Sequence, residues 1–367
     1  MALLPNIRNR GGTRARNSLK AIVMKHEEPI VIGITMGDPA GISPEIVTKL
    51  CLAPKEDGVM PVVLGDADTI RGWVSRLGAS RPVTALKNLD RGALSASAIN
   101  VLQMGPKVDG IVLGRITREA GAASMAYNEE GARVCSAGLI DGLLTAPMTK
   151  ASAKLAGYDY IGQAEFFADR AGTDFVTVLM YGKFWSALLT THVSLAEACR
   201  QVKKAAILEK LRFIRERETL LGFHDIRIGV ASLNPHAGES GNIGREEIEE
   251  ITPAIEAARA EGIRADGPFP VNALFSPPYD GRGYDITLAM HHDQVVARMN
   301  MNETTTLTFG LPFIRTSVGH GSALDIAGKG IADPQALAIT FDHTVQLARA
   351  KRLRERGTAP QTITTEA

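Results

Sequence analysis

The 367-residue sequence predicts an α/β protein, and three observations support that class. Short β-branched apolar runs alternate along the chain with longer segments of helical periodicity. Several of the apolar runs end in glycine-rich turns such as Met36-Gly-Asp-Pro-Ala-Gly, which is typical of the strand–turn–helix units of parallel sheets. The length is sufficient for two domains with a substantial core.

Composition and charge exclude several classes of protein. Hydrophobic residues make up 45% and charged residues 22% of the chain, which is ordinary for a soluble globular protein. The net charge of +1 provides no general attraction to nucleic acid or to a membrane surface, and no apolar run approaches the length of a transmembrane helix. Cys51, Cys135 and Cys199 have no CxxC spacing, which favours a reducing, cytoplasmic location over a disulfide framework or a structural zinc site.

The first 27 residues differ from the rest, because six basic residues precede the first acidic one. A transit peptide has such a composition. We favour a disordered basic extension, or a start codon placed too early, because Met24 lies just before the first predicted strand. The segment is excluded from the predicted fold.

The first half of the chain alternates predicted strands and helices. Ser43-Pro44-Glu45 opens the first helix, with Ser43 as the predicted N-cap and proline in the first turn. In chain order we predict a strand over 30–34, a helix from 43 to 50, strands over 61–64 and 99–103, a helix over 119–137 and a strand that ends at Leu143-Leu144.

From residue 175 the pattern changes. Two strands on either side of Tyr181-Gly182-Lys183 indicate an antiparallel ribbon inserted midway. The elements predicted after it are a helical segment over 194–221, a strand over 226–231, an acidic helix over 246–261, a strand over 284–290 and a helix over 333–354 whose end is basic, as the helix dipole favours.

The stretch Arg315–Pro334 is predicted to be a ligand-binding loop. It contains four glycines close to Arg315, His320 and Lys329. Glycine allows a backbone to take positive φ or to approach a ligand closely. A plain connection between two elements is the alternative, but such connections rarely place a histidine between two glycines with arginine and lysine on either side.

Polar residues that could carry chemistry follow the predicted strands. His192 and the run His291-His292-Asp293 could hold a divalent metal between them, although a single histidine at a strand end more often makes a structural hydrogen bond. Lys150 could exchange a proton or contact an anion, or could be a surface lysine with a packed stem. His236 could bind substrate or order its own turn.

Six segments together resemble the PdxA family, the 4-hydroxythreonine-4-phosphate dehydrogenases of pyridoxal phosphate synthesis and their relatives. The resemblance runs from about residue 30 to residue 350. The segments are Met36-Gly-Asp-Pro-Ala-Gly-Ile, Thr145-Ala-Pro-Met-Thr-Lys, Thr191-His192, Asn234-Pro-His-Ala-Gly-Glu, Ala289-Met-His-His-Asp-Gln and Gly310-Leu-Pro-Phe-Ile-Arg-Thr-Ser.

The resemblance implies a fold like that of isocitrate and isopropylmalate dehydrogenases, with two α/β/α domains and the active-site cleft between them. It implies NAD as cofactor, with NADP an open alternative, and a divalent metal such as Zn, Co, Mn or Mg. The implied partners are a small-molecule substrate and a second copy in a homodimer, with no nucleic acid or membrane. The expected domains are 28–138 plus 308–355, and 139–307 with the dimerisation elements, between the extension 1–27 and a tail at 356–367.

The resemblance also implies site residues. The metal ligands map to Gln163, His192 and His292, and Gln163 departs from the family, whose Gly-His-Thr-Glu-Phe is here Gly162-Gln-Ala-Glu-Phe. An amide oxygen can ligate but should weaken transition-metal binding. The expected catalytic residues are Lys150 and Asp293. The expected substrate contacts are Thr149, His236, Arg298, Thr306 and Arg315, and the expected cofactor contacts are Gly319, His320, Gly321, Ser322, Ala323, Ile326 and Asp333.

Three further departures bear on the substrate. The family lysine after His-Asp-Gln-Gly is missing, with Arg298 as a possible substitute, and Thr306 and Gly319 replace a family asparagine and aspartate. Losing a cation opposite a phosphate removes a charge-assisted bond of about 1.5–3 kcal/mol. With the replaced first metal histidine, the segment Gly319-His-Gly-Ser-Ala also resembles the terephthalate dihydrodiol dehydrogenase branch of the family. The lost lysine and this resemblance imply NAD-dependent oxidation and decarboxylation of a non-phosphorylated β-hydroxy acid, such as a terephthalate-type cis-dihydrodiol. The alternatives are a 4-hydroxythreonine-4-phosphate dehydrogenase or related enzyme for a phosphorylated hydroxy acid, and an inactive ligand-binding relative.

Overall fold

The computed structural model describes residues 28–104, 110–275 and 283–356. The predicted basic extension at 1–27 and the tail after Arg356 lie outside these residues. The α/β prediction is confirmed, since the described chain forms one twelve-stranded sheet with helices packed against it. Within those ranges no helix is long and apolar enough to cross a membrane.

The strands are named in chain order. They are β1 (Ile30–Thr35), β2 (Val59–Gly65), β3 (Val83–Leu86), β4 (Ile99–Gln103), β5 (Gly142–Thr145), β6 (Val176–Tyr181), β7 (Phe184–Leu188), β8 (Arg227–Ala231), β9 (Arg264–Phe269), β10 (Ile286–Ala289), β11 (Thr305–Phe309) and β12 (Arg315–Val318).

The helices are named in the same way. They are α1 (Ser43–Leu52), α2 (Ala67–Arg76), α3 (Arg118–Ser136), α4 (Lys150–Leu155), α5 (Gln163–Ala171), α6 (Leu195–Gln201), α7 (Lys204–Arg217), α8 (Thr252–Ala260), α9 (Val271–Leu274), α10 (His292–Val296) and α11 (Gln335–Glu355). A single π turn, Glu247–Ile251, leads into α8.

The sheet has the order β3-β4-β2-β1-β5-β12-β11-β6-β7-β10-β8-β9. The first six strands are parallel, and so are the last four. Between these two parallel blocks β11 and β6 run antiparallel to their neighbours. The antiparallel centre therefore joins the two halves of the molecule, and the predicted ribbon of β6 and β7 is confirmed as part of it.

The core lies between the sheet and helices on both of its faces. The helix α3 packs against β1, β2 and β5, and α11 packs against β1, β5, β11 and β12. On β5 the Cα of Gly142 faces Thr344 of α11, while Leu143 contacts Gly131 of α3. Because consecutive strand residues point to opposite faces, the two helices cover opposite sides of the same strands.

Two predicted features are wrong in the structure. Ser43 does not cap α1, because its Oγ instead donates a 2.7 Å hydrogen bond to the carbonyl of Pro147. Arg315–Val318 is strand β12, so the glycine-rich loop begins only at Gly319. The strand pairs with β5 and β11, two long-range contacts that local composition does not reveal.

The predicted helical segment 194–221 is divided. Helix α6 ends at Gln201 and α7 begins at Lys204, where the Glu250 carboxylate accepts hydrogen bonds from the Lys204 backbone N–H and from Lys203 Nζ. A carboxylate at a helix N-terminus satisfies free N–H groups and matches the helix dipole. A residue distant in sequence thus starts the second helix.

The predicted domain bounds stay a prediction. The strand β5, which the expected boundary at residue 139 assigns to the second domain, pairs with β1 and β12 in the first parallel block. The sheet itself continues across both halves.

Candidate active site

A cleft of about 330 Å³ lies where the antiparallel centre of the sheet meets the first parallel block. Its walls come from β6, β11 and β12, from the segments that follow β5 and β7, and from the first residues of α5 and α10. Nine of the predicted site residues line it: Lys150, Gln163, His192, His292, Thr306, Arg315, Gly319, His320 and Gly321.

Arg315 is a buried cation on the cleft wall. It is 2% exposed, and its guanidinium lies over the ring of Phe167, 5.2 Å from the centroid. Its Nη1 donates to Thr308 Oγ1 at 2.9 Å, and its Nη2 donates to Thr145 Oγ1 at 2.6 Å. Burial lowers the pKa of Arg315 to about 9, with the negative charge of Glu165 acting in the opposite direction. The guanidinium still carries its charge at neutral pH.

The third partner of Arg315 is Gln163, the first residue of α5. The Gln163 Oε1 accepts from Arg315 Nη2 at 3.0 Å, and its Nε2 donates to the Ala146 carbonyl at 3.3 Å. Both ends of the amide are therefore engaged by protein groups. The predicted role of Gln163 as a metal ligand stays a prediction.

His192 and His292 meet because of the sheet. They follow β7 and β10, which are parallel neighbours, and the carboxyl ends of parallel strands lie at one edge. Their ring centroids are 6.1 Å apart. Partial desolvation, helped by the positive charge of Lys150, lowers the pKa of His192 and favours the neutral imidazole that binds metal ions.

The two histidines fit a divalent ion by donor chemistry and by spacing. Imidazole nitrogens suit Zn and the neighbouring transition metals, and two rings about 6 Å apart can share one ion. Neither at this site nor in the rest of the described chain is a group of three or more His, Cys, Asp or Glu side chains arranged to hold a metal ion.

Asp293 supports His292 from outside the cleft. Its Oδ1 lies 2.9 Å from His292 Nδ1, and the hydrogen bond from His292 lowers the pKa of Asp293. A carboxylate on one imidazole nitrogen orients the other toward a metal. The structure therefore places Asp293 behind a candidate ligand, whereas its predicted catalytic role stays a prediction.

Three predicted substrate contacts lie outside the cleft lining. Thr149 is the residue before α4 and lies beside the buried carboxylate of Asp38. The exposed Arg298 donates to the Phe275 carbonyl at 3.3 Å. His236 is exposed in a turn whose residues 236–240 all have positive φ. Their roles in substrate binding stay predictions.

The loop after β12, residues 319–334, is tied to α1. The buried Glu45 accepts from the Ala332 backbone N–H at 2.8 Å, and Lys49 Nζ donates to the carbonyls of Gly330 and Ala332 at 3.0 and 2.6 Å. Glu45 and Lys49 also form an ion pair. The predicted ligand loop is thus held against the first strand–turn–helix unit.

The predicted cofactor contacts are distributed along this loop. Gly319, His320 and Gly321 face the cleft, and Ser322, which is 7% exposed, contacts Gly41 of the first turn. Among the described residues Ser322 Oγ has no hydrogen-bond partner, so a buried hydroxyl is free for a ligand. Further along are Ala323, with φ of 39°, Ile326, and Asp333, which accepts from the Gln335 N–H.

Several residues in or beside the cleft were not predicted from the sequence. Thr145 and Thr308 accept hydrogen bonds from Arg315, while Glu165 and Met301 line the cleft. Thr145 could have been found, because it ends the strand that precedes Lys150. Thr308 and Met301 lie in segments without a motif, and only strand pairing reveals them.

The family model for the pyridoxal phosphate biosynthetic protein PdxA matches residues 57–343. The chain is 37% identical to the 4-hydroxythreonine-4-phosphate dehydrogenase of Beijerinckia indica over 320 residues, covering 86% of this chain and 94% of that protein. It is 36% identical to the D-threonate 4-phosphate dehydrogenase of Bordetella bronchiseptica over 324 residues, or 86% and 92% of the two chains.

Among solved structures, the 4-hydroxythreonine-4-phosphate dehydrogenase of Klebsiella pneumoniae superimposes with a TM-score of 0.79 at 32% identity, covering 87% of this chain and 99% of that one. A terephthalate 1,2-cis-dihydrodiol dehydrogenase from Burkholderia xenovorans has a TM-score of 0.58 at 27% identity, with coverage of 85% and 98%. It is less similar than the Klebsiella structure by both measures.

These comparisons correct the expected substrate. The names of both relatives and of the Klebsiella structure specify 4-phosphorylated hydroxy acids. The expectation of a non-phosphorylated, terephthalate-type dihydrodiol is therefore wrong. The sequence argument failed because it relied on one lost lysine and gave too little weight to Arg315, which is retained and buried in the cleft.

Proposed function

Since this chain belongs to the PdxA family of dehydrogenases, we propose that it oxidises the hydroxyl of a 4-phosphorylated hydroxy acid with NAD and a divalent metal. The substrate candidates are 4-hydroxythreonine 4-phosphate and D-threonate 4-phosphate. In both, the reacting hydroxyl is β to a carboxylate, so oxidation produces a β-keto acid that loses carbon dioxide.

One observation carries the proposal: Arg315 is a charged group buried in the cleft among hydroxyl and amide partners. A desolvated cation is costly to bury, and Arg315 has only neutral hydrogen-bond partners, with the charge of Glu165 acting on it without a direct contact. An anionic group of the substrate would supply a negative charge in direct contact, and the planar guanidinium matches a carboxylate or a phosphate. Arg315 would thereby hold the substrate in the cleft.

His192 and His292 would hold the divalent ion beside the bound substrate. When bound, the ion supplies Lewis-acid polarisation of the hydroxyl and NAD supplies the hydride acceptor. Lys150 lies on the same wall, close enough to His192 for its charge to act on that imidazole. We assign Lys150 Nζ the exchange of the hydroxyl proton.

NAD would lie along residues 319–334, with the buried hydroxyl of Ser322 as one of its contacts. The choice of NAD over NADP, the homodimer and the cytoplasmic location stay predictions of the sequence and of the family resemblance.

The test is turnover of matched pairs of substrates. NADH formation is measured with each phosphorylated acid and with its dephosphorylated counterpart, with Mg²⁺, Mn²⁺, Co²⁺ and Zn²⁺ added in turn. We expect NADH from at least one phosphorylated acid and none from its dephosphorylated counterpart. Absence of NADH with both phosphorylated acids under every metal would overturn the proposal.

A further inference from the structure

We propose that the cleft selects a 4-phosphorylated acid with a hydroxyl on C2, the carbon next to the carboxylate, over one with an ammonium there. The two substrate candidates differ at this carbon, because D-threonate 4-phosphate has a hydroxyl on C2 and 4-hydroxythreonine 4-phosphate has an amino group. The phosphate and the reaction are taken from the proposed function, on which this selectivity rests. The features responsible are the two cations of the cleft and the apolar wall that Met301 forms against Gly319.

The cleft lining carries more positive than negative side chains. Lys150 and Arg315 are cations, and Glu165 is the one acidic residue among the described residues that line it. The hydrogen-bond partners of Arg315 are all neutral, so its charge is not cancelled by direct contact. Like charges in a partly desolvated site repel one another strongly. An ammonium would add a third positive charge here, whereas a hydroxyl adds none.

Glu165 is already matched by charges of the protein. It lies in the first turn of α5, where the helix dipole favours a carboxylate. Burial lowers the pKa of Arg315, and the negative charge of Glu165 opposes that effect. Pairing Glu165 with a substrate ammonium would compete with its interaction with this buried arginine. The described lining therefore offers no carboxylate that an ammonium could take without cost.

Met301 and Gly319 form an apolar part of the cleft wall. A Cβ added at Gly319 would lie 2.5 Å from Met301 Cε, closer than two non-bonded carbon atoms approach. The φ of Gly319 lies outside the left-handed region, so the backbone alone does not require glycine there. Glycine is needed because the methionine methyl group occupies the space of a side chain. A thioether is only a weak hydrogen-bond acceptor, so an ammonium gains no strong partner on this wall.

A hydroxyl on C2 would find neutral partners in the same cleft. Thr306 of β11 and Ser317 of β12 are paired across the two strands, and both line the cleft. A hydroxyl side chain can donate and accept a hydrogen bond. These two residues can therefore satisfy a substrate hydroxyl in either direction, but they supply no negative charge to an ammonium.

The first experiment compares the affinities of the two phosphorylated acids for the wild type. Binding is titrated by calorimetry with Mn²⁺ present and without NAD, so that no turnover takes place. We expect D-threonate 4-phosphate to bind at least about tenfold more tightly than 4-hydroxythreonine 4-phosphate. Equal affinities, or tighter binding of the amino acid, would overturn the proposal.

A pair of variants tests the wall itself. Gly319→Asp places a carboxylate on it, and Gly319→Asn is the matched control of similar size without the charge. Both displace the end of the Met301 side chain, and effects common to the two acids cancel in the ratio of their affinities. We expect this ratio to shift toward the amino acid by at least about tenfold more in Gly319→Asp than in Gly319→Asn. Equal ratios in the two variants would overturn the assignment of this wall.

Formation of NADH from each acid tests the proposed function separately. If the affinities follow these expectations and neither acid yields NADH with any of the four metals, the proposed reaction is lost and the selectivity stands. If neither acid binds to the wild type, both the proposed function and the selectivity are overturned.

Discussion

Lys150 illustrates how much a single residue depends on its place in the sheet. It begins α4, directly after the segment that follows β5, and this brings it to the same wall as His192 and Arg315. Lys154, one turn later on the same helix, pairs with Asp159 and does not line the cleft. The two lysines thus form a matched pair.

For Lys150→Met we expect kcat to fall by about 100-fold, because a proton-transfer group typically contributes 10²- to 10⁴-fold. Lys154→Met should retain wild-type kcat. Both are measured as NADH formation with the phosphorylated acid that the wild type oxidises. Equal activity of the two variants would remove Lys150 from the mechanism.

At the residue scale the sequence predicted those site residues that follow strands. His192, His292 and Lys150 could be placed together because carboxyl ends of parallel strands share an edge. The contact between Gln163 and Arg315 joins residues 152 positions apart and depends on the order of strands in the sheet. Local pattern contains no information about that order, so the contact could not be predicted.

At the scale of elements, α3 and α4 are packed unusually closely. A Cβ added at Gly121 of α3 would overlap the Ser152 carbonyl of α4. Gly72 of α2 provides the contrast, because a Cβ there would meet nothing within 4 Å. Both glycines lie inside helices, so alanine should be favoured at each by helix propensity alone.

We therefore expect opposite effects on the free energy of unfolding. Gly121→Ala should lower it by about 2 kcal/mol or more, because the helices must separate. Gly72→Ala should raise it by about 0.5–1 kcal/mol. Urea unfolding of both variants measures the difference, and a stabilised Gly121→Ala would mean that the two helices can move apart freely.

His343 of α11 is buried, with its Nδ1 2.8 Å from Thr305 Oγ1 of β11. Burial lowers its pKa below the ordinary value of 6.5. Below that pH the unfolded chain binds a proton that the folded chain resists. This contribution to stability is therefore complete above pH 6.5 and is lost as the pH falls from 6.5 through the lowered pKa.

The prediction is that His343→Gln weakens the dependence of stability on pH. The free energy of unfolding is measured in urea at about pH 7.5 and about pH 5.5. It should fall less between these two pH values for His343→Gln than for the wild type. His224→Gln, at an exposed position, controls for loss of an imidazole. Identical losses in His343→Gln and the wild type would exclude His343 as a source of this pH dependence.

The elements themselves were predicted where periodicity is strong. The antiparallel ribbon and the long helices near 119–137 and 333–354 are present, whereas the helical segment 194–221 is divided at residues 202–203. The division depends on Glu250, whose carboxylate accepts a hydrogen bond from the Lys204 N–H at the first turn of α7, although the two residues are far apart in sequence. Helix propensity depends on local sequence only, so it cannot predict a helix cap that a residue from another part of the fold supplies.

At the scale of the whole molecule, Asp141 connects both ends of the described chain. It accepts hydrogen bonds from the Val31 N–H at 2.7 Å, from Arg91 at 3.2 Å, and from Arg352 Nε and Nη2 at 2.8 and 2.6 Å. Arg352 also donates to the carbonyls of Glu28 and Pro29. One carboxylate thus joins β1, the segment before β5 and the last turns of α11.

Asp141→Asn should lower the free energy of unfolding by about 2–3 kcal/mol, because it removes the negative charge that pairs with two largely buried arginines, Arg91 and Arg352. The control is Asp68→Asn, which breaks a pair with Arg71 whose side chains are 60% and 48% exposed, and should cost about 0.5 kcal/mol or less. Guanidinium unfolding compares the two, and equal losses would show that Asp141 acts only as a surface charge.

The tether between Glu45 and Ala332 has a thermodynamic consequence. It crosses 287 residues of sequence and holds the loop at 319–334 in its shape before any ligand arrives. Ordering a free loop typically costs about 1–2 kcal/mol for each residue fixed. A dinucleotide bound as proposed would meet a surface whose entropy was already lost during folding, so its affinity should depend on the contacts it makes and little on induced ordering of the protein.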